Sequence, residues 1–64
     1  MLPEFMTQKD LAEILRLSPL TVYRLTKRGE IKAFKVGRSL RYARADVEAY
    51  VESRRKAFGK DAPA

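Results

Sequence analysis

Apolar residues change their spacing along this chain, and each change marks an element. Between Gln8 and Leu15 they fall at Leu11, Ile14 and Leu15, the i, i+3, i+4 spacing of one helical stripe. Thr7 stands just before this stretch and Asp10 three residues after it, a capping box with Asp in place of Glu. Ala12 on the same helix leaves room for a second helix to approach. After a break at Arg16-Leu17, Ser18 is a second N-cap and Pro19 takes the first helical position, where its missing N–H costs nothing. The second helix runs to about Arg28 and ends at Gly29, a residue suited to the left-handed C-terminal position. Two short helices joined by a tight turn with an apolar residue inside it, Leu17, match a helix-turn-helix.

From Ala33 to Tyr42 the period shortens. Phe34, Val36, Leu40 and Tyr42 are apolar, Lys35 and Arg41 fall between them, and Gly37-Arg38-Ser39 reads as a compact turn. The expectation is a β-hairpin with one face on the helices and one basic face. Ala43 to Ala57 returns to the helical period through Val47, Tyr50, Val51 and the aliphatic stem of Arg54. Asp46 and Glu48 near its start and Arg54, Arg55 and Lys56 near its end suit the helix dipole, and Gly59 is expected to stop it. The pattern predicts an α+β, mainly helical fold: three helices, with a two-stranded β-hairpin wing before the last. Residues 1–5 read as an N-terminal extension, 6–58 as the domain and 59–64 as a flexible tail.

Composition narrows what such a domain can do. A chain of 64 residues is a single domain. It buries only about 60% of its unfolded surface, which leaves little depth for an enclosed active site. With no Cys and no His, disulfides, thiolate chemistry, Ser-His or Cys-His catalysis and zinc sites are excluded. No enzyme activity, metal or cofactor is expected, and binding is what remains. The net charge of +6 calls for an anionic partner. That charge is unevenly placed. Residues 16–41 hold eight bases (Arg16, Arg24, Lys27, Arg28, Lys32, Lys35, Arg38, Arg41) against Glu30 alone, whereas residues 1–15 are net −2. No apolar run reaches the roughly 18 residues of a membrane span, and the first residues lack the basic and apolar regions of a signal peptide. A nucleic acid fits this distribution better than a membrane surface does.

On a helical wheel, Val22 and Leu25 share one side of the second helix. The other side carries Leu20, Tyr23, Arg24 and Lys27, flanked by Thr21 and Arg28, with no acid among them. Arg or Lys there can donate to guanine O6 and N7, Thr can reach a base edge or methyl, and Tyr can reach a phosphate. The plainer reading is a solvated face. Ser18 reads as a cap rather than a phosphate contact, and Tyr42 and Tyr50 read as core. On the hairpin, Lys35 and Arg41 are expected side by side across the outer face, with Arg38 at the tip beside Ser39. Like charges set opposite each other destabilise a hairpin, and a phosphate partner would offset that. A different register would instead splay the three charges into water.

Several segments together, Thr7–Leu15, Leu17–Leu25, Gly29–Arg38, Arg41-Tyr42 and Asp46–Val51, resemble the excisionase-type, MerR-like winged helix-turn-helix domain. The resemblance spans about residues 6–53. It implies a recognition helix at Ser18–Arg28 in the major groove of double-stranded DNA. It also implies a wing at Phe34–Tyr42 on the backbone or in an adjacent minor groove. Thr21, Tyr23, Arg24 and Lys27 take the groove-facing positions, bordered by Ser18, Leu20 and Arg28; Lys35, Arg38, Ser39 and Arg41 take the wing positions. Pro19-Leu20 departs from the small or basic residues that members often carry. The resemblance further implies a recombination directionality factor in a bacterial or phage-host cytoplasm. Such a factor bends attachment-site DNA, contacts an integrase and associates head-to-tail with copies of itself. A small transcriptional regulator, or a DNA-targeting module of a larger enzyme, would use the same residues.

Overall fold

The computed structural model describes residues 2–61 and holds six elements: β1 (Phe5–Thr7), α1 (Gln8–Leu15), α2 (Pro19–Lys27), β2 (Phe34–Val36), β3 (Ser39–Ala43) and α3 (Arg44–Asp61). The caps expected from the sequence form. The Asp10 N–H donates to Thr7 Oγ1 at 3.0 Å and the Thr7 N–H donates to Asp10 Oδ2 at 3.1 Å, the reciprocal capping box of α1. The Thr21 N–H donates to Ser18 Oγ at 3.1 Å, and Pro19 opens α2.

Both helices end in the same way. At the end of α2, Gly29 lies at φ 77°, with Gly29 N–H donating to Thr26 O and Glu30 N–H to Leu25 O, both at 3.0 Å. This pair of bonds is a Schellman motif. The end of α1 repeats it with Arg16 N–H to Glu13 O at 3.2 Å and Leu17 N–H to Ala12 O at 2.9 Å. There, however, the left-handed residue is Arg16, at φ 59°. A residue with a Cβ pays about 1–2 kcal/mol in this conformation relative to the right-handed one. The bend between α1 and α2 is nevertheless closed, because both bonds are made and Leu17 follows at once.

The sheet runs β1-β3-β2, antiparallel throughout. Strand β1 is absent from the elements expected from the sequence. Met6 pairs with Tyr42 and is almost fully buried, while Arg44 N–H closes onto Glu4 O at 2.9 Å. The core gathers Met6, Leu11, Ala12, Val22, Leu25, Ile31, Tyr42 and Val47. Tyr50 is half-buried against it rather than enclosed. Ile14, expected on the buried stripe of α1, is 40% exposed. The α1 stripe is narrower than its spacing suggests, because Leu11 and Ala12 meet the core and the sequel turns away at Arg16.

The hairpin register corrects the expected one. Phe34 pairs with Arg41, Lys35 with Leu40 and Val36 with Ser39. Two residues therefore make the turn, Gly37 and Arg38, not three. Gly37 at φ 63° followed by Arg38 at negative φ has the sign pattern of a type II′ turn, whose twist matches the flanking strands. Shifting the pairing by one residue exchanges the faces of one strand relative to the other. Lys35 is thus on the face of Leu40 and Tyr42, whereas Arg41 shares the outer face with Phe34 and Val36. The two cations do not sit side by side, and no like-charge pair strains the wing. The outer face carries an aromatic pair, Phe5 and Phe34, edge to face with centroids 5.8 Å apart. With Val36 and Arg41 these rings line a shallow apolar hollow of about 370 Å³.

Helix α3 also differs from expectation. It begins at Arg44, because Ala43 is still paired to Phe5, and it runs through Gly59 to Asp61. Gly lowers helix stability by about 1 kcal/mol relative to Ala but does not forbid the conformation, so Gly59 is no stop. Of the expected tail, residues 62–64 lie outside the described residues. Among the described residues no helix is long and apolar enough to cross a membrane.

Candidate nucleic-acid interface

Three elements converge on one open groove of about 760 Å³. Helix α2 contributes Tyr23, Thr26 and Lys27; the wing contributes Lys35, Arg38, Ser39, Leu40 and Arg41; and the start of α1 contributes Thr7, Gln8 and Lys9. Lys35, on the face of Leu40 by its pairing, lines the same groove as Lys27, and the long side chain of Arg41 reaches it from the other face of β3.

Five cations therefore border this groove: Lys9, Lys27, Lys35, Arg38 and Arg41. Among the described residues the ion pairs are Arg28 Nε–Glu30 Oε2 at 3.0 Å and Arg55 Nη1–Glu52 Oε2 at 3.6 Å, and neither includes a groove cation. Arg41 donates from Nη1 to the Leu40 carbonyl at 2.9 Å, which steadies its guanidinium on the strand. Asp10 is the nearby carboxylate. The backbone N–H and then the side chain of Thr7 hold its carboxyl below the usual value; burial opposes them, and Arg41 and Lys9, in smaller measure, lower it further. Its Oδ2 accepts from the Thr7 N–H in the cap of α1, and it stands in no ion pair with a groove cation, although its charge offsets part of the field of Arg41 and Lys9.

The sequence-predicted residues divide into two groups. Tyr23, Lys27, Lys35, Arg38, Ser39 and Arg41 meet in the groove. Leu20 and Arg24 lie outside it on the exposed surface of α2, and Leu20 is 55% exposed. Thr21 is half-buried, its hydroxyl 2.9 Å from that of Ser18, and Ser18 caps the helix as its spacing suggests. Arg28 is exposed and engaged with Glu30. Thr7, Gln8, Lys9 and Thr26 are groove residues that the pattern did not single out. Counting charge by segment hid Lys9 in a net-negative stretch, and only the pairing of Thr7 with Arg41 brings that stretch to the wing. Gln8 does more than line the wall: its Nε2 donates to the Pro19 carbonyl at 3.0 Å and ties α1 to the first turn of α2. Among the described residues no group of three or more His, Cys, Asp or Glu side chains is placed to hold a metal ion.

A tight helix-helix pair, a three-stranded sheet ending in a hairpin, and a basic groove between them define a winged helix-turn-helix. Residues 5–55 match the family described as a helix-turn-helix domain, and the chain belongs to that family. The chain is 38% identical over 50 residues to two Mycobacterium tuberculosis proteins, each named "Putative DNA-binding protein" (MT0521 and Rv0500A); the match covers 78% of this chain and 64% of each of theirs. It is 37% identical over 60 residues to the uncharacterized protein YvgK of Bacillus subtilis, covering 89% of this chain and 20% of that protein. The chain thus spans about a fifth of the Bacillus relative and just under two thirds of the mycobacterial ones. No solved structure matches it.

Proposed function

We propose that this domain binds double-stranded DNA with sequence preference, seating α2 in the major groove and the wing on the neighbouring backbone. The observation that carries this reading is the groove bordered by Lys9, Lys27, Lys35, Arg38 and Arg41, none of them in an ion pair with a described carboxylate. The names of the mycobacterial relatives support it. Arg24 and Lys27 reach base edges, Thr21 and Tyr23 border them, and Ser18 and Leu20 lie at the leading end of the helix. Arg28 exchanges Glu30 for a phosphate at little cost, because an exposed ion pair is worth only about 0–1 kcal/mol. Lys35, Arg38, Ser39 and Arg41 hold the backbone.

Two substitutions separate these roles. Arg24→Ala is expected to relax sequence preference, with a loss of about 1–3 kcal/mol confined to one base pair. Arg38→Ala is expected to weaken binding to all sequences alike. Both are read by competition titrations on selected and random duplexes. An equal loss on both duplexes for Arg24→Ala would reassign that residue to a phosphate.

Within this reading, the first form is an excisionase, the kind of domain that the segments from Thr7 to Val51 resemble, although a regulator would share the same residues. The protein then bends attachment-site DNA, contacts an integrase and associates head-to-tail on repeated sites in the cytoplasm of a bacterium or phage host. The match to a fifth of the Bacillus protein favours a second reading, a DNA-targeting module or regulator attached to other domains. The full-length reading frame identifies a module, and selection of bound sites from a random DNA library separates the array from a dimeric regulator. Tandem direct repeats are the expected result for the array, and an inverted repeat would replace it with a dimeric regulator.

A further inference from the structure

We propose that Tyr42, which cannot itself touch DNA, is a positioning residue that sets the recognition helix against the wing and so controls specificity; this rests on the DNA-binding reading above. Tyr42 lies on the central strand β3 and is 0% exposed. Its hydroxyl is 2.6 Å from Thr26 Oγ1, and Thr26 Oγ1 in turn donates to the Val22 carbonyl at 2.9 Å. The direction of the chain follows from proton count. A carbonyl has no proton to give, so the Thr26 hydroxyl proton is committed to Val22, and the proton between the two hydroxyls comes from Tyr42.

The bond joins the elements that face each other across the groove. Thr26 lies in the last turn of α2, beside Lys27, and β3 leads back from Tyr42 through Arg41 to the turn that carries Arg38. Apolar packing around Tyr42 holds α2 against the sheet but sets no donor–acceptor axis between them. A hydrogen bond is directional and weakens steeply off axis, so it fixes where α2 sits. At the other end of α2 the Gln8–Pro19 bond is exposed and competes with water, whereas the Tyr42–Thr26 bond is partly buried. Reading bases demands that helix and wing be in place together. Holding phosphates on an arbitrary sequence does not. Releasing the bond therefore costs affinity for the preferred site more than for random DNA.

The test uses the whole chain, a duplex carrying the site selected from a random library, and a random-sequence duplex, well below the unfolding midpoint. Tyr42→Phe is expected to lower affinity for the selected site about 3- to 10-fold, the range of one hydrogen bond, with affinity for the random duplex unchanged. Thr26→Val, which removes the acceptor from the opposite side, should reproduce the loss, and the double variant should add little to either single one. Variants that melt earlier but keep the wild-type ratio of specific to random affinity would make the bond purely structural and overturn the proposal; an equal loss on both duplexes would do the same. A wild-type chain that binds no duplex at all would remove the DNA-binding reading first, and the positioning role with it.

Discussion

Raising monovalent salt from 50 to 200 mM is expected to weaken DNA binding about 500-fold. The size of the effect follows from the groove. Lys9, Lys27, Lys35, Arg38 and Arg41 border it, and each that meets a phosphate releases condensed counterions from the duplex. Five such contacts give a slope of log K on log salt of about −4 to −5, which compounds over a fourfold change in concentration. Arg28 adds less than a free cation because it already faces Glu30 at 3.0 Å. Fluorescence anisotropy on a short labelled duplex measures the slope directly. A flat titration would sink the nucleic-acid reading, since no arrangement of phosphates around these side chains is insensitive to salt.

The second large effect is on stability. Leu11→Ala is expected to leave much of the protein unfolded at 37 °C. Leu11 is fully enclosed in the core that joins α1 to α2 and the sheet. Truncating such a leucine costs about 3–5 kcal/mol in lost transfer energy and residual cavity. A domain this short has only about 3–10 kcal/mol in total, at the usual stability per residue. The midpoint of thermal unfolding, followed by circular dichroism, should fall by at least about 12 °C, because each kcal/mol moves it about 4–8 °C in a small domain. A midpoint within a few degrees of wild type would mean that the core collapses around the gap and that α1 is held chiefly by its caps.

Those caps are also why the helix-turn-helix is readable in the sequence. Thr7 with Asp10, Ser18 with Pro19, and Gly29 each act within a few residues of their own position, so their pattern survives without knowledge of the rest of the fold. The wing was legible as a hairpin but not in its register. Gly37-Arg38-Ser39 admits a turn of two residues or of three, and the choice, made by strand twist, moves Lys35 to the face opposite Arg41. Strand β1 was not legible at all. Three residues carry no alternation to detect, and the partner that makes Phe5–Thr7 a strand lies beyond α1, α2 and β2 in the chain, in Arg41–Ala43. Ile31 was missed for a related reason, because a lone apolar residue in a loop has no period. The groove inherits these gaps. Lys27, Arg38 and Arg41 could be named from the chain, but Thr7, Gln8 and Lys9 enter only once β1 closes on β3.

The two-residue turn of the wing also constrains how such a gene can diverge. Codon substitutions at Arg38 alter charge at the tip and leave every facing in the sheet intact. Gly37, at φ 63°, is the position where replacement is strained. Insertions are different in kind. Lengthening the hairpin by an even number of codons preserves which side chains meet the helices. An odd number placed within a strand must either reverse that strand's facing, putting Lys35 outward and Phe34 and Val36 inward, or be absorbed as a bulge, whereas one placed in the turn gives a three-residue loop and leaves the facings intact. The strands of the wing are therefore free to change in sequence one residue at a time, but in length they favour steps of two.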